Sequence, residues 1–169
     1  MDALQAAAHA HDVEAVIACF AQDIIVRSPV TQRIRFEGIE QASDLFRRVF
    51  TVISDIRFYE TVGEGTPNQV IFWKGRVGNQ YLEEANLLRL DDAGRIREMT
   101  VFMRPAPGLL ALAAALAASL AGRHGRLRSV LVRAALGTLA TILRAGEPLI
   151  LRLTGAGVPV PSQEQRPQL

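Results

Sequence analysis

The sequence of 169 residues contains a single cysteine, Cys19, so the chain cannot form a disulfide within itself. Its three histidines, at positions 9, 11 and 124, stand in no metal-ligand spacing with that cysteine or with one another. The simplest context is a reducing one, read here as cytoplasmic, with no cofactor motif and no metal centre. The N-terminus MDALQAAAHAHD has no basic region before an apolar core and does not read as a secretory leader. Apolar runs long enough to span a bilayer are also missing. GLLALAAALAASLAG is too short and too rich in alanine, and the next apolar stretch carries Arg133 inside it, whereas a span needs about 20 apolar residues. The C-terminal arginines have no aromatic residues among them, which argues against a nucleic-acid surface.

What is present is a globular composition, 49% hydrophobic and 21% charged. The length suits one domain with an extension. The net charge of +2 conceals two unlike parts: residues 1–105 carry 12 Arg and Lys against 15 Asp and Glu, while residues 106–169 carry 7 Arg against 2 Glu. This reading gives a domain over 1–105, an Ala/Leu-rich helical extension over 106–153, and a Pro- and Gln-rich disordered tail over 154–169.

Periodicity assigns the elements. Leu4, Ala7 and Ala8 form one face of a first helix, and Asp12 caps a second that carries Val13, Val16, Ile17 and Phe20. IIVRS follows as a strand, then a Pro-containing turn and the short strand RIRFEG. In GIEQASDLFRRVF, Ile39, Ala42, Leu45, Phe46, Val49 and Phe50 lie at helical spacing. From residue 54 the period becomes two through DIRFYETVG, NQVIFWKGRVG, QYLEEANLLRL and RIREMTVFMR, separated by GEGTPN, Gly78-Asn79 and DDAG. Three helices followed by a long meander give an α+β fold, with the helices gathered on one face of a curved antiparallel sheet. Beyond Pro105, Leu109, Leu112, Leu116 and Leu120 form one stripe of a helix. A second helix over SVLVRAALGTLATILRA gathers Arg133, Gly137, Thr141 and Arg144 into a narrow polar stripe. Packing against the domain or a second copy is favoured for these helices, with contact at a membrane surface as the alternative.

HDVEAVIACFAQDIIVRSP, FEGIEQ and LLRLDDAGRIREMTVFMRP, taken in this order, resemble the SnoaL-like, or nuclear-transport-factor-2-like, superfamily of ketosteroid isomerases, polyketide cyclases and limonene epoxide hydrolases. The resemblance covers roughly residues 3–105. It implies a cone-shaped curved sheet with the three helices packed on its concave face, a deep apolar pocket, and a homodimer formed through the outer face of the sheet. It also implies positions for chemistry. The aspartate base of the isomerases precedes the proline that ends the first strand, where this chain has Ser28. Their oxyanion tyrosine falls at about Leu4, and their protonated aspartate at about Asn86. A serine without a partnering base cannot abstract a proton near neutral pH. The Arg flanked by two carboxylates that the epoxide hydrolases use has no counterpart on a strand here.

If Asn86 points into the cone, strand alternation sends Leu82 and Glu84 inward with it, and Tyr81 and Glu83 outward. Glu84 is then the candidate acid or base and Asn86 a carbonyl-polarising donor. A register shift of one residue would exchange Glu83 and Glu84. The alternative is that both lie at a solvated strand end or pair with Arg76 or Arg27. Ser28, Asn86, Phe58 and Trp73, with Met99, Val101 and Met103 on one face of the last strand, are the candidate ligand-binding residues. Arg27 reads as an external salt-bridge partner, His9 and His11 as helix-end residues, and Cys19 as a small buried hydrophobe.

Three readings follow. In the favoured one the chain binds a hydrophobic small molecule without the isomerase acids. The second is an isomerase, cyclase or hydratase that uses Glu84 and Asn86. In the third, the C-terminal helices make it an interaction module, mediating assembly or association with a membrane surface. Whether a carboxylate lies inside the cone separates the first two.

Overall fold

The computed structural model describes residues 2–121. The expected second C-terminal helix and the tail lie outside the described residues. Helices α1 (Asp2–His9) and α2 (Val13–Ala18) lead into strand β1 (Phe20–Arg27); β2 (Arg35–Glu37) and helix α3 (Gly38–Phe50) follow. Four long strands come next, β3 (Ile53–Val62), β4 (Asn68–Val77), β5 (Gln80–Leu90) and β6 (Ile96–Arg104), before helix α4 (Ala106–Ala121). The six strands form one unclosed sheet in the order β2-β1-β6-β5-β4-β3. This is the expected α+β cone, antiparallel in every pair but one: β1 runs parallel to β6, because the whole of the fold between them lies on the connection.

The expected helix starts are seen at atomic level. The Asp12 carboxylate accepts the Ala15 N–H at 3.0 Å and caps α2. Phe20 departs from expectation. It keeps helical spacing with Val16 and Ile17, but α2 stops at Ala18, and Phe20 pairs as a strand residue with Ile96. The Ile96 N–H donates to the Cys19 carbonyl, so a non-local partner overrides the local period.

Bulges curve the sheet. The β3–β4 register slips between Ser54 and Arg57 and again between Phe58 and Glu60, and Asp55 takes a left-handed φ of 55° at the first slip. Extra residues on one strand bend it and increase its twist, which wraps β3 toward the helices. Gly75 on β4 admits this bend, since a Cβ there would stand 3.0 Å from the Ser54 carbonyl oxygen. The helices cover the concave face. Ile24, Ile71, Leu82 and Leu88 are fully buried beneath them, each contributing roughly 1.5 to 3 kcal/mol through burial.

The chain turns from β6 into α4 through a cis Arg104–Pro105 bond, and α4 packs on α3, β4, β5 and β6. Its start lies tight against β5, where Gly108 faces the Tyr81 carbonyl. Near its other end, Ser119 Oγ accepts a 2.7 Å hydrogen bond from Arg48 on α3, whose guanidinium also grips Asp44 at 3.0 and 3.1 Å. Among the described residues no helix is long and apolar enough to cross a membrane.

Candidate functional site

The Gly78-Asn79 hairpin sets the site. Gly78 takes the positive φ of 58° that a two-residue connection needs, so Val77 pairs with Gln80. Counting back from the turn, Trp73 lies opposite Glu84 and Ile71 opposite Asn86. On the far side of β5, Glu84 faces Met103 and Asn86 faces Val101. Directly opposed residues share a face. Two rows therefore cross the inside of the cone: Phe58, Trp73, Glu84 and Met103 in one, and Ile71, Asn86 and Val101 in the other.

These rows form one wall of a cavity of about 370 Å³. Leu4 and Ala8 of α1, Val16 of α2 and Leu45, Phe46 and Val49 of α3 form another, and Leu109, Leu112 and Leu116 of α4 close a third side. Every residue named from the sequence as a candidate borders it: Glu84, Asn86, Ser28, Phe58, Trp73, Met99, Val101 and Met103. The lining from α4 comes from the leucine stripe visible in the sequence, on a helix read there as packing against the domain or a second copy. Ile56 and Ile71 were missed; their strand parity with Phe58 and Trp73 would have found them.

Glu84 is 7% exposed and Asn86 5%. Removal from water pushes the Glu84 carboxyl from its ordinary 4.5 up to about 8, despite Asn86 and Trp73 side chains within hydrogen-bonding reach that favour the ionised form. At neutral pH Glu84 is therefore chiefly a neutral carboxylic acid with one proton to donate. The Oδ1 of Asn86 has no hydrogen-bond partner among the described residues. The Asn86 amide nitrogen is then the group that serves Glu84.

Glu83, one residue away, stands in a different environment. It points out of the cone, accepts a 2.7 Å hydrogen bond from the Tyr59 hydroxyl and is ion-paired with Arg104. The expectation that both glutamates pair with Arg76 or Arg27 is thus replaced by an inward Glu84 and an outward Glu83 bound to Arg104. Partial desolvation acts upward on Glu83, but the Tyr59 and Arg104 bonds outweigh it and hold the carboxyl low. Burial and the bond to Glu83 push Tyr59 up to about 12.

The remaining candidates sort as follows. Ser28 sits at the cavity rim after β1, and its Oγ accepts the Val30 N–H at 3.2 Å in a local turn. Arg27 pairs outward with Glu98 at 2.8 Å. His11 lies in the α1–α2 turn, with Nε2 2.7 Å from the Phe50 carbonyl oxygen. Burial raises the Cys19 thiol above its usual range, consistent with an inert, half-buried side chain. Among the described residues no three His, Cys, Asp or Glu side chains come together to hold a metal.

Comparison with known proteins fits this geometry. A family model described as a SnoaL-like domain matches residues 1–99. A steroid delta-isomerase from Pseudomonas aeruginosa is 26% identical with a TM-score of 0.63, aligned over 70% of this chain and 86% of its own. An uncharacterised bacterial protein with a cystatin-like fold from Silicibacter pomeroyi is 23% identical with a TM-score of 0.65, over 79% and 92%. A SnoaL-like protein of unknown function from Burkholderia thailandensis is 18% identical with a TM-score of 0.52, over 62% and 91%. Among curated proteins, none matches the chain at a significant level.

Proposed function

The chain belongs to the SnoaL-like family, and from that premise we propose that its cone takes up an apolar small molecule carrying one polar oxygen, on which Glu84 acts as acid and base. The observation that carries this reading is a carboxyl buried in a carbon-lined cavity, where removal from water pushes it up to about 8. In the forward direction the Glu84 O–H bond breaks, the proton passes to the ligand oxygen, and the electron pair stays on the carboxylate. The Asn86 amide and the Trp73 indole N–H then stabilise that anion, which takes a proton from a carbon of the ligand and so restores the acid. The similarity to a steroid delta-isomerase supports proton transfer on a hydrophobic substrate. By the resemblance, Ser28 corresponds to the base of the isomerases, so this reading uses a different arrangement of acid and base.

Trp73 is the only tryptophan and lines the cavity, so its emission reports occupancy. Titration with decalin should give a saturable change in Trp73 emission with Kd on the order of 10 to 100 μM, as expected for a small hydrocarbon with about ten heavy atoms. A linear, non-saturating response would mean that the cone does not take up apolar molecules.

A second reading, binding without turnover, is favoured by Ser28, since its hydroxyl accepts a backbone N–H and has no partnering base among the described residues. In either reading the outer face of the sheet suits a second copy of the chain. Phe102 is 56% exposed and Tyr59 48%, with Phe72 stacked beside Tyr59 at 6.0 Å. Phe102→Lys places a cation in the centre of this face, and sedimentation equilibrium should show a parent dimer become a monomer. A parent protein that already sediments as a monomer would remove the proposal.

A further inference from the structure

The Oδ1 of Asn86, on the cavity wall, is left unused by the acid–base reading. It belongs to a side chain that is 5% exposed, borders the cavity, and has no hydrogen-bond partner among the described residues. Buried acceptors left unmade are costly and rare in folded proteins. An acceptor that a binding site keeps unpaired specifies a donor on whatever enters. Its neighbour Glu84 makes the opposite demand, because a neutral carboxyl presents an O–H that needs an acceptor.

We infer that the ligand oxygen is a hydroxyl, an apolar alcohol, which accepts from Glu84 and donates to the Oδ1 of Asn86 at the same time. The inference rests on the proposed function and narrows its substrate class. A ketone, ester or ether oxygen satisfies Glu84 but sets its own lone pairs against Oδ1, leaving the buried amide oxygen facing a second acceptor. A hydroxyl closes the network. With the Asn86 and Trp73 side chains serving Glu84, Glu84 donates to the ligand, and the ligand donates back to Asn86. Among the described residues, the other polar side chains of the lining, Ser28 and Arg27, sit at the end of β1 by the rim, and both are held there, Ser28 by the Val30 N–H and Arg27 by Glu98. The rest of the molecule should therefore be hydrocarbon.

The full-length protein decides this by Trp73 fluorescence with decalol, decalone and decalin, three probes on one carbon skeleton. The expected result is that decalol binds about tenfold more tightly than decalone, the discrimination of one satisfied buried hydrogen bond. In Asn86→Leu, the preference for decalol over decalone should disappear. If decalone binds as tightly as decalol or more tightly, the inference is overturned and the acid–base reading survives, because a carbonyl also accepts from Glu84. Equal binding of all three probes overturns it as well. If none of the three binds, the apolar-site reading falls and takes the inference with it. The ratio of alcohol to ketone in the parent protein decides the point without the variant, so a misfolded Asn86→Leu does not protect the inference.

Discussion

Replacing Glu84 with Gln should flatten a decline in stability that the parent protein shows between about pH 5 and pH 8. The sign follows from proton counting. Below 4.5 the carboxyl is protonated in both the folded and the unfolded chain. Between 4.5 and about 8 the folded protein keeps its proton while the unfolded chain releases it. Stability therefore falls by roughly 1.4 kcal/mol for each pH unit across this window, and the contribution is lost once pH passes the folded value. The whole effect is on the order of 5 kcal/mol, a large share of the stability of a small domain. Gln stays neutral throughout and keeps nearly the same shape. Urea denaturation of both proteins at pH 5, 6.5 and 8 should show the parent losing ground steadily against the variant. Parallel profiles would mean that Glu84 ionises freely and is not the buried acid described above.

The same variant separates the two functional readings. If Glu84 transfers a proton, turnover falls on the order of 10² to 10⁴-fold, while uptake of decalin hardly changes because the hydrocarbon touches carbon side chains. A binding protein has no turnover to lose, and Glu84→Gln would then alter only the pH slope. The stability and activity measurements are thus independent, and the first can succeed when the second finds nothing.

Much of this site is legible in the amino-acid sequence. In β5 the alternation Leu82, Glu84, Asn86, Leu88 states which residues point inward, provided the register is known. The Gly78-Asn79 pair fixes that register through a two-residue turn, which forces Trp73 opposite Glu84. The choice between Glu83 and Glu84 is therefore resolvable from the turn chemistry. Phe20 is not resolvable in this way, because its partner Ile96 lies at the other end of the domain and the local pattern is helical. The unpaired oxygen of Asn86 is equally hidden, since it depends on which neighbours the folded cavity brings near. Nor does the sequence say where α4 docks: an Ala/Leu helix with a leucine stripe fits the cone and a second copy alike, with a membrane surface as the less favoured alternative. Its one specific signal is a glycine within an alanine-rich helix.

That glycine makes the second strong prediction. On helix propensity alone, Gly108→Ala should stabilise α4 by up to about 1 kcal/mol. Packing predicts the reverse. A Cβ at position 108 would stand 2.3 Å from the Tyr81 carbonyl oxygen and 3.1 Å from the Leu82 Cβ, and both belong to β5, which is paired there with β4. No rotamer relieves a clash with backbone, so α4 must lift. The expected net loss is about 1 to 3 kcal/mol, read from the denaturation midpoint. Amide hydrogen exchange should accelerate in α4 and leave β4 and β5 protected. Lifting α4 also uncovers Leu109, Leu112 and Leu116, which form a side of the cavity, so decalin should bind more weakly and the variant should aggregate more readily. A gain in stability would show that α4 does not rest on β5. The outcome bears on function because α4 lies beyond the residues the SnoaL-like family model matches. The wall it supplies is an addition to the matched region, and the space it leaves sets the size of molecule that can reach Glu84.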